Sequence, residues 1–410
     1  MLPLSPTAER LIPRIFWSCA VLAIVIWALV PGYDAGWDLR VYKAAILSLR
    51  AGHDPYEDGM AAQRIYHATR AQLPPDTPTP FTYVYSPITL PPLRAIARYP
   101  LKLEAAVYFT LYALFIVAAI GVSLWLTEDD ERRVFRFLAP AAVFFPGLLQ
   151  TDVLFSGNIA YIFHGAALLA AWQGWRRNRW GWFYLVVLLA SCYKPPLLYL
   201  LAIPVFSTRK QWLYAGITGL AGVGLFAMQP HLWPELFRHY MEAVELQFSY
   251  NHDFSASPAG LLANALYNVA PYQVTTAAAY LVTVLVVGAI LLLLRSRYLN
   301  GELTKKQWLP LMLVGVALLN PRIMEYDVAP LTVVMALVAW RYFGRVTKTP
   351  STRVTWMSVC FAALNGYAVY AWRFTEGIAL TALFFAGAWT LFSQVHAADE
   401  QPSGVISSTP

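Results

Sequence analysis

Asp38 heads the run Trp37-Asp38-Leu39-Arg40-Val41-Tyr42, just past the first apolar stretch and at the start of a long aromatic segment, 37–102. A carboxylate at the mouth of a membrane bundle is costly, and a group kept there usually has work to do. The work open to a carboxylate is to accept a proton from a group within hydrogen-bond reach. Asp34 is the reserve candidate, because an Asp34/Asp38 pair can share the role or raise one pKa by like-charge repulsion. Structural alternatives stand beside this reading: Asp38 sits where a helix N-cap belongs, and Arg40 and Lys43 are near enough in sequence to pair with it. Two cations occur alone at the ends of apolar runs, Lys194 in Tyr193-Lys194-Pro195-Pro196 and Arg322 in Asn320-Pro321-Arg322. Such charges are functional or simply snorkel to the interface.

The elements that position these groups are membrane helices. The chain has 410 residues, 58% of them hydrophobic and only 13% charged, and its mean hydropathy of +0.49 is unusual for a water-soluble fold of this length. Apolar runs fall at 15–30, 105–126, 137–149, 159–172, 182–192, 197–206, 212–228, 277–294, 309–319, 328–340, 354–371 and 378–392. The expectation is therefore an all-α polytopic membrane protein of about twelve transmembrane helices, several of them short for the hydrocarbon core. Tight punctuation at Ser156-Gly157-Asn158, Lys194-Pro195-Pro196 and Asn320-Pro321-Arg322 separates neighbouring runs, a pattern tolerated where helix ends line a cavity. Cys19, Cys192 and Cys360 are far apart in apolar sequence and read as inert core residues.

Basic residues orient the bundle, since Lys and Arg in short loops prefer the cytoplasm. Arg132, Arg133 and Arg136 share one loop; Arg176, Arg177 and Arg179 a second; Arg209 and Lys210 a third. Arg295, Arg297, Lys305 and Lys306 share a fourth, and Arg341, Arg345, Lys348 and Arg353 a fifth. With twelve spans all five fall on the side of Arg10 and Arg14, which makes both termini cytoplasmic and turns the long segments 31–104 and 229–276 outward. The net charge of +7 is spread over these loops and does not suggest a nucleic-acid partner. Residues 1–396 read as one transmembrane domain and 397–410 as a disordered cytoplasmic tail.

The outer segments are amphipathic. Leu39, Tyr42, Ile46 and Leu49 recur at helical spacing, with Gly52 just past the end, and the pattern predicts an interfacial helix over 38–49. A second such stretch runs from Trp233 to Phe248, with Pro234 at its start. Between them Phe81-Thr82-Tyr83-Val84-Tyr85-Ser86-Pro87 reads as an extended crossing. The clustered aromatic residues are first of all belt residues of a membrane interface. His164, inside a span with no second ligand at metal spacing, reads as a satisfied core histidine.

Taken together, Trp37-Asp38-Leu39-Arg40-Val41-Tyr42, Gly52-His53-Asp54-Pro55-Tyr56, Tyr85-Ser86-Pro87, Phe155-Ser156-Gly157-Asn158 and Tyr193-Lys194-Pro195-Pro196 resemble the integral-membrane glycosyltransferases of the GT-C class. Within that class the chain looks like glycosyltransferase family 87, the polyprenyl-phosphate-mannose-dependent mannosyltransferases, with weaker echoes at Ser255-Ala256-Ser257-Pro258 and Asn320-Pro321-Arg322. It departs from the pattern in lacking Gly-Gln before Asn158 and in following Asn320-Pro321 with Arg322-Ile323-Met324-Glu325-Tyr326, which bears on the donor sugar more than on the fold.

The resemblance implies transfer of a sugar, mannose or another hexose or pentose, from a polyprenyl-phosphate donor to an acceptor hydroxyl on a glycolipid or polysaccharide at the outer face of a bacterial inner membrane. Asp38 stands where the family places its general base; Lys194, Arg322, Arg40 and Lys43 are available for the donor phosphate. Asn158, Tyr42, Tyr85, His252 and Glu325 are candidate substrate contacts, and His53 and Asp253 lesser ones, each competing with an ordinary turn or loop role. No Asp-x-Asp, Walker, Rossmann or His-Glu-x-x-His pattern appears, so no metal or cofactor is expected. Two other classes remain open, an O-antigen-type polymerase or ligase and a secondary transporter or flippase. A late large outer loop would mark the first and internal repeat symmetry the second.

Overall fold

The computed structural model describes residues 36–75, 77–135, 156–251, 254–371 and 374–399, with a few single positions between 7 and 22. Among them the chain forms sixteen α-helices and no strand. An outer group comprises α1 Trp37–Ala51, α2 Pro55–Thr69 and α3 Leu90–Ile96. The bundle follows with α4 Leu101–Trp125, α5 Ile159–Arg177, α6 Gly181–Tyr193 and a 3-10 helix, Pro195–Leu201, that continues as α7 Ala202–Ser207. Next come α8 Trp212–Leu232, α9 Pro234–Asn251, α10 Pro258–Ala265, α11 Tyr272–Leu299 and α12 Lys305–Leu318. The chain closes with α13 Glu325–Val328, α14 Thr332–Val346, α15 Pro350–Ala371 and α16 Thr375–Asp399.

Five stretches are long and apolar enough to cross a membrane: Leu101–Trp125, Trp212–Leu232, Tyr272–Leu299, Glu325–Val346 and Thr375–Gln394. That is fewer than the twelve expected. The runs at 15–30 and 137–149 lie outside the described residues, and the remaining helices are short or less apolar for a physical reason. α12 has 14 residues, about 21 Å at 1.5 Å per residue against a hydrocarbon core of about 30 Å. It has no lipid to match, because every residue from Trp308 to Leu318 is buried among neighbouring helices. Its start is set by a capping box, in which the Thr304 hydroxyl accepts the Gln307 N–H and the Gln307 side chain accepts the Thr304 N–H. Asn320-Pro321 follows just beyond its last turn.

The basic loops gather at one end of the bundle. Arg341 grips Glu131 with two 2.7 Å bonds and also donates to Lys306 O. Lys305 donates to Trp175 O, Arg295 to Val205 O and Thr208 O, and Arg209 to Leu299 O. Lys194 and Arg322 stand beyond the opposite ends of α6 and α12.

The outer helices depart from expectation in what they cover. Leu39, Tyr42, Ile46 and Leu49 form the apolar face of α1 as the spacing predicts, but they are buried against protein, with Tyr56 and Met60 of α2, Tyr83, Tyr85 and Ala243 of α9. The face is therefore covered by α2, by α3 and by the Tyr83–Tyr85 segment instead of resting on lipid. Asp54 caps α2 through the Tyr56 N–H, and Gly52 ends α1 at φ 80°, a left-handed conformation that glycine adopts without steric cost. Residues 81–86 form no helix or strand and bend at Tyr85, and Ser86 is extended, φ −64° and ψ 156°, as expected before Pro87. α16 runs to Asp399, into the segment expected to be a tail, and residues 400–410 lie outside the description. Cys19 also lies outside it, Cys192 is partly buried, and Cys360, expected in the core, is on the exposed side of α15.

The closest helix pairing, α4 against α5, depends on Gly165. A Cβ there would stand 2.6 Å from Phe115 O, a backbone atom that can yield only if the helix moves. Gly165→Ala is expected to cost about 1–3 kcal/mol of stability and to lower the melting temperature of the purified protein, whereas Gly121→Ala, with nothing within 4 Å, is not.

Candidate functional site

The site starts from α1. Its N-cap is Gly36, with extended φ and no side-chain cap bond, so Asp38 is not the cap that its position allowed. It lies in the first helical turn, where the dipole favours a negative charge. At 3.6 residues per turn Asp38 shares a face with Tyr42, Ala45 and Leu49, all buried. Arg40 and Lys43 point off that face, on the side that carries the exposed Ala44 and Leu47. The helix therefore aims the carboxylate inward and its two cations away.

Four tyrosines build the surroundings of Asp38. The Tyr42 hydroxyl lies 2.7 Å from the Tyr85 hydroxyl and accepts the Ile159 N–H at 3.0 Å. Tyr56 donates to Tyr85 O at 2.6 Å, Ser86 donates to Cys192 O at 2.6 Å, and Tyr108 donates to Gly157 O. These bonds stitch α1, the 81–86 crossing, the start of α5 and the end of α6 into one wall. Gly157, at φ 72°, lies directly beneath Leu39, where a Cβ would meet the leucine at 2.4 Å.

Electrostatics brings the second half of the chain to the same wall. Burial first, then the Asp38 carboxylate, push the Tyr85 hydroxyl well above its usual pKa; the Tyr42 hydrogen bond and, less strongly, the Arg322 guanidinium pull it back. Asp38 also acts on Tyr42, after burial and the Tyr85 and Tyr108 hydroxyls, and Arg322 on Tyr240 of α9, after burial. The charges of Asp38 and Arg322, far apart in sequence, thus both act on Tyr85.

Lys194 closes α6 in an extended conformation, φ −134° and ψ 96°, as the prolines that follow require. Its Nζ sits 3.8 Å from the centroid of the Tyr326 ring, and the Tyr193 ring lies 6.2 Å from that of Tyr85. The loop carrying Arg322 is rigid: Asn320, 2% exposed, accepts the Arg322 N–H, and Ser255 accepts the Ile323 N–H at 2.8 Å while Ala256 N–H donates to Ile323 O. Glu325, buried, begins α13 beside Glu376 of α16.

Asp38 and Arg322 thus both act on Tyr85, while Lys194 rests on Tyr326, the chain neighbour of Glu325. Asn158 stands at the edge of this wall and caps α5 through the Ala160 N–H at 2.9 Å, so one of its oxygen's bonds is structural. Tyr42 and Tyr85 are framework, their hydroxyls bonded to each other. His53 is exposed beside Asp58. Asp34, His252 and Asp253 lie outside the described residues. His164 is a satisfied core histidine: Nδ1 donates to Ala160 O at 2.7 Å, which leaves Nε2 to accept from the Tyr199 hydroxyl at 2.8 Å.

Four buried acids escaped the sequence reading: Glu104 and Glu131, which pair with Arg50 and Arg341, and Asp327 and Glu376. Asp327, 4% exposed, accepts the Met324 N–H, and its place three residues into a helix start was the available signal. Glu376, 1% exposed, had none. For a metal ion, the described residues offer Asp54, Glu57 and His239, whose ligand atoms lie within 4.8 Å of one another. Arg238 stands 2.7 Å from His239 Nε2, so a cation already occupies that corner, and the cluster acts as a clasp between α2 and α9.

The chemistry these groups offer is a proton acceptor at Asp38 and positive charge for an anion at Lys194 and at Arg322. Its geometry depends on the Tyr42 hydroxyl. Tyr42→Phe leaves the Ile159 N–H without its acceptor, and a loss of about 1–3 kcal/mol is expected, read as a lower melting temperature. In comparisons with known proteins, no family model, no curated protein and no solved structure matches the chain.

Proposed function

We propose that this protein is a membrane glycosyltransferase of GT-C type, resembling family 87, that moves a sugar from a polyprenyl phosphate to an acceptor hydroxyl. The observation that carries the reading is the meeting of one inward carboxylate, Asp38, with Arg322 at Tyr85, and of Lys194 with the neighbouring α13, in an all-helical protein with apolar spans. Inverting transfer needs those parts: a base for the acceptor hydroxyl, cations for the phosphate on which charge builds, and a surface that leaves the prenyl chain in lipid.

In this reading the twelve-span topology holds, with 15–30 and 137–149 among the spans, both termini cytoplasmic and the wall on the outer, periplasmic face. Asp38 takes the proton of the acceptor, a glycolipid or polysaccharide, as its oxygen attacks the anomeric carbon. The bond from that carbon to the phosphate oxygen breaks, and Lys194 and Arg322 receive the charge on the departing polyprenyl phosphate. Mannose is the first donor sugar to try, then other hexoses and pentoses. Glu325 and Asn158 are the side chains assigned in this reading to the sugar hydroxyls.

The test is transfer of label from radiolabelled polyprenyl-phosphate sugars to a membrane-lipid acceptor extract by the purified protein. Asp38→Asn is expected to lower the rate by about 10²–10⁴-fold with the melting temperature retained. Transfer unchanged in that variant moves the base to Asp34 or elsewhere, and no transfer from any donor returns the polymerase and transporter readings.

A further inference from the structure

Asp327 has no role in the site so far. Only 4% of it is exposed, and its Oδ2 accepts the Met324 N–H at 3.1 Å and the Asn320 amide at 3.4 Å. Its Oδ1 is sealed from solvent with no hydrogen-bond partner. A buried carboxylate in that condition is strongly unfavourable unless a cation offsets it. The groups that face it narrow the choice. His164 of α5 lies in its field but is bonded as a neutral ring, Nδ1 donating and Nε2 accepting, and Tyr199 of the 3-10 helix is that ring's donor. Asn320 and Tyr326 carry no charge, Glu325 has the wrong sign, and Arg322 is exposed and acts on Tyr85 and Tyr240. Lys194 remains. Its charge acts on the same His164, and its Nζ rests on the ring of Tyr326, the residue next to Asp327.

We propose that Asp327 is a positioning residue, the buried counter-charge that fixes the Lys194 ammonium over Tyr326 and thereby fixes where a lipid-linked phosphate is held. The inference rests on the donor reading above. It assigns the two acids of the Glu325-Tyr326-Asp327 run different tasks: Glu325 faces Glu376, while Asp327 keeps a cation charged and aimed.

The experiment is a double-mutant cycle on the full-length protein in detergent, with Lys194→Met, Asp327→Asn and the double variant. Each is titrated with undecaprenyl phosphate by intrinsic fluorescence at pH 6 and pH 9, and each is melted. Without its carboxylate a half-buried ammonium sheds its proton more readily as pH rises. Relative to wild type, Asp327→Asn is then expected to bind roughly tenfold more weakly at pH 9 but within about twofold at pH 6, and the double variant within about twofold of Lys194→Met. The same loss at both pH values, or additive losses, overturns the inference and leaves Asp327 a structural residue. Should Asp327→Asn not fold, recovery of folded protein in the double variant supports the pairing, since no lone buried charge remains, and failure of both overturns it. Wild-type protein that binds no undecaprenyl phosphate contradicts the donor reading itself, an outcome distinct from binding without the pH dependence.

Discussion

The Tyr42 hydroxyl is the bond on which the site depends. It joins Tyr85, in the 81–86 crossing, to the first N–H of α5, and so ties the outer segment that carries Asp38 to the bundle that carries Lys194 and Arg322. Each of its partners is backbone or a phenol held by backbone, and Tyr85 is itself gripped by Tyr56. A hydroxyl network of this kind is strong where water is excluded and costly where it is left incomplete. That is why the aromatic residues near Asp38, which a membrane interface would attract in any case, read here as a frame that aims one carboxylate.

A second constraint explains the shape of the bundle. A helix enclosed by protein need not span the bilayer, so α12 stops short; α6 is also short, at 13 residues, and proline-containing motifs follow both. Lys194 closes one such end and Arg322 lies just past the other. The opposite end is bound by a different chemistry, Arg341 on Glu131 and Lys305 on the last turn of α5, so that the ends of the fold are distinct in charge and in the rigidity of their loops. A chain built this way carries interrupted helix termini at one end of the bundle and a basic, ion-paired face at the other.

Much of this was legible in the residues. The helix over α1, its end at Gly52, the start of the second outer helix at Pro234, the helix-free 81–86 crossing and the satisfied His164 follow from spacing, proline and ligand arithmetic. What covered α1 was not legible, because an apolar stripe looks the same whether lipid or protein seals it, and only the packing of α2, α3 and the Tyr83–Tyr85 segment against it decides. Span number is harder to read for a related reason: hydropathy alone does not separate a helix facing lipid from one buried on all sides, as α12 is. Asp327 and Glu376 were missed because their burial comes from segments distant in sequence, which no local pattern records.

The central claim is that Lys194 and Arg322 form one anion site beside Asp38. An electron cryomicroscopy structure of the full chain in a lipid nanodisc with undecaprenyl phosphate tests it most directly. The account predicts phosphate density within about 4 Å of both cations, on the Tyr85 side of α1, with the prenyl chain leading into lipid. Phosphate density at the Arg341 end of the bundle, or on Arg40 and Lys43 with Lys194 and Arg322 untouched, would contradict it.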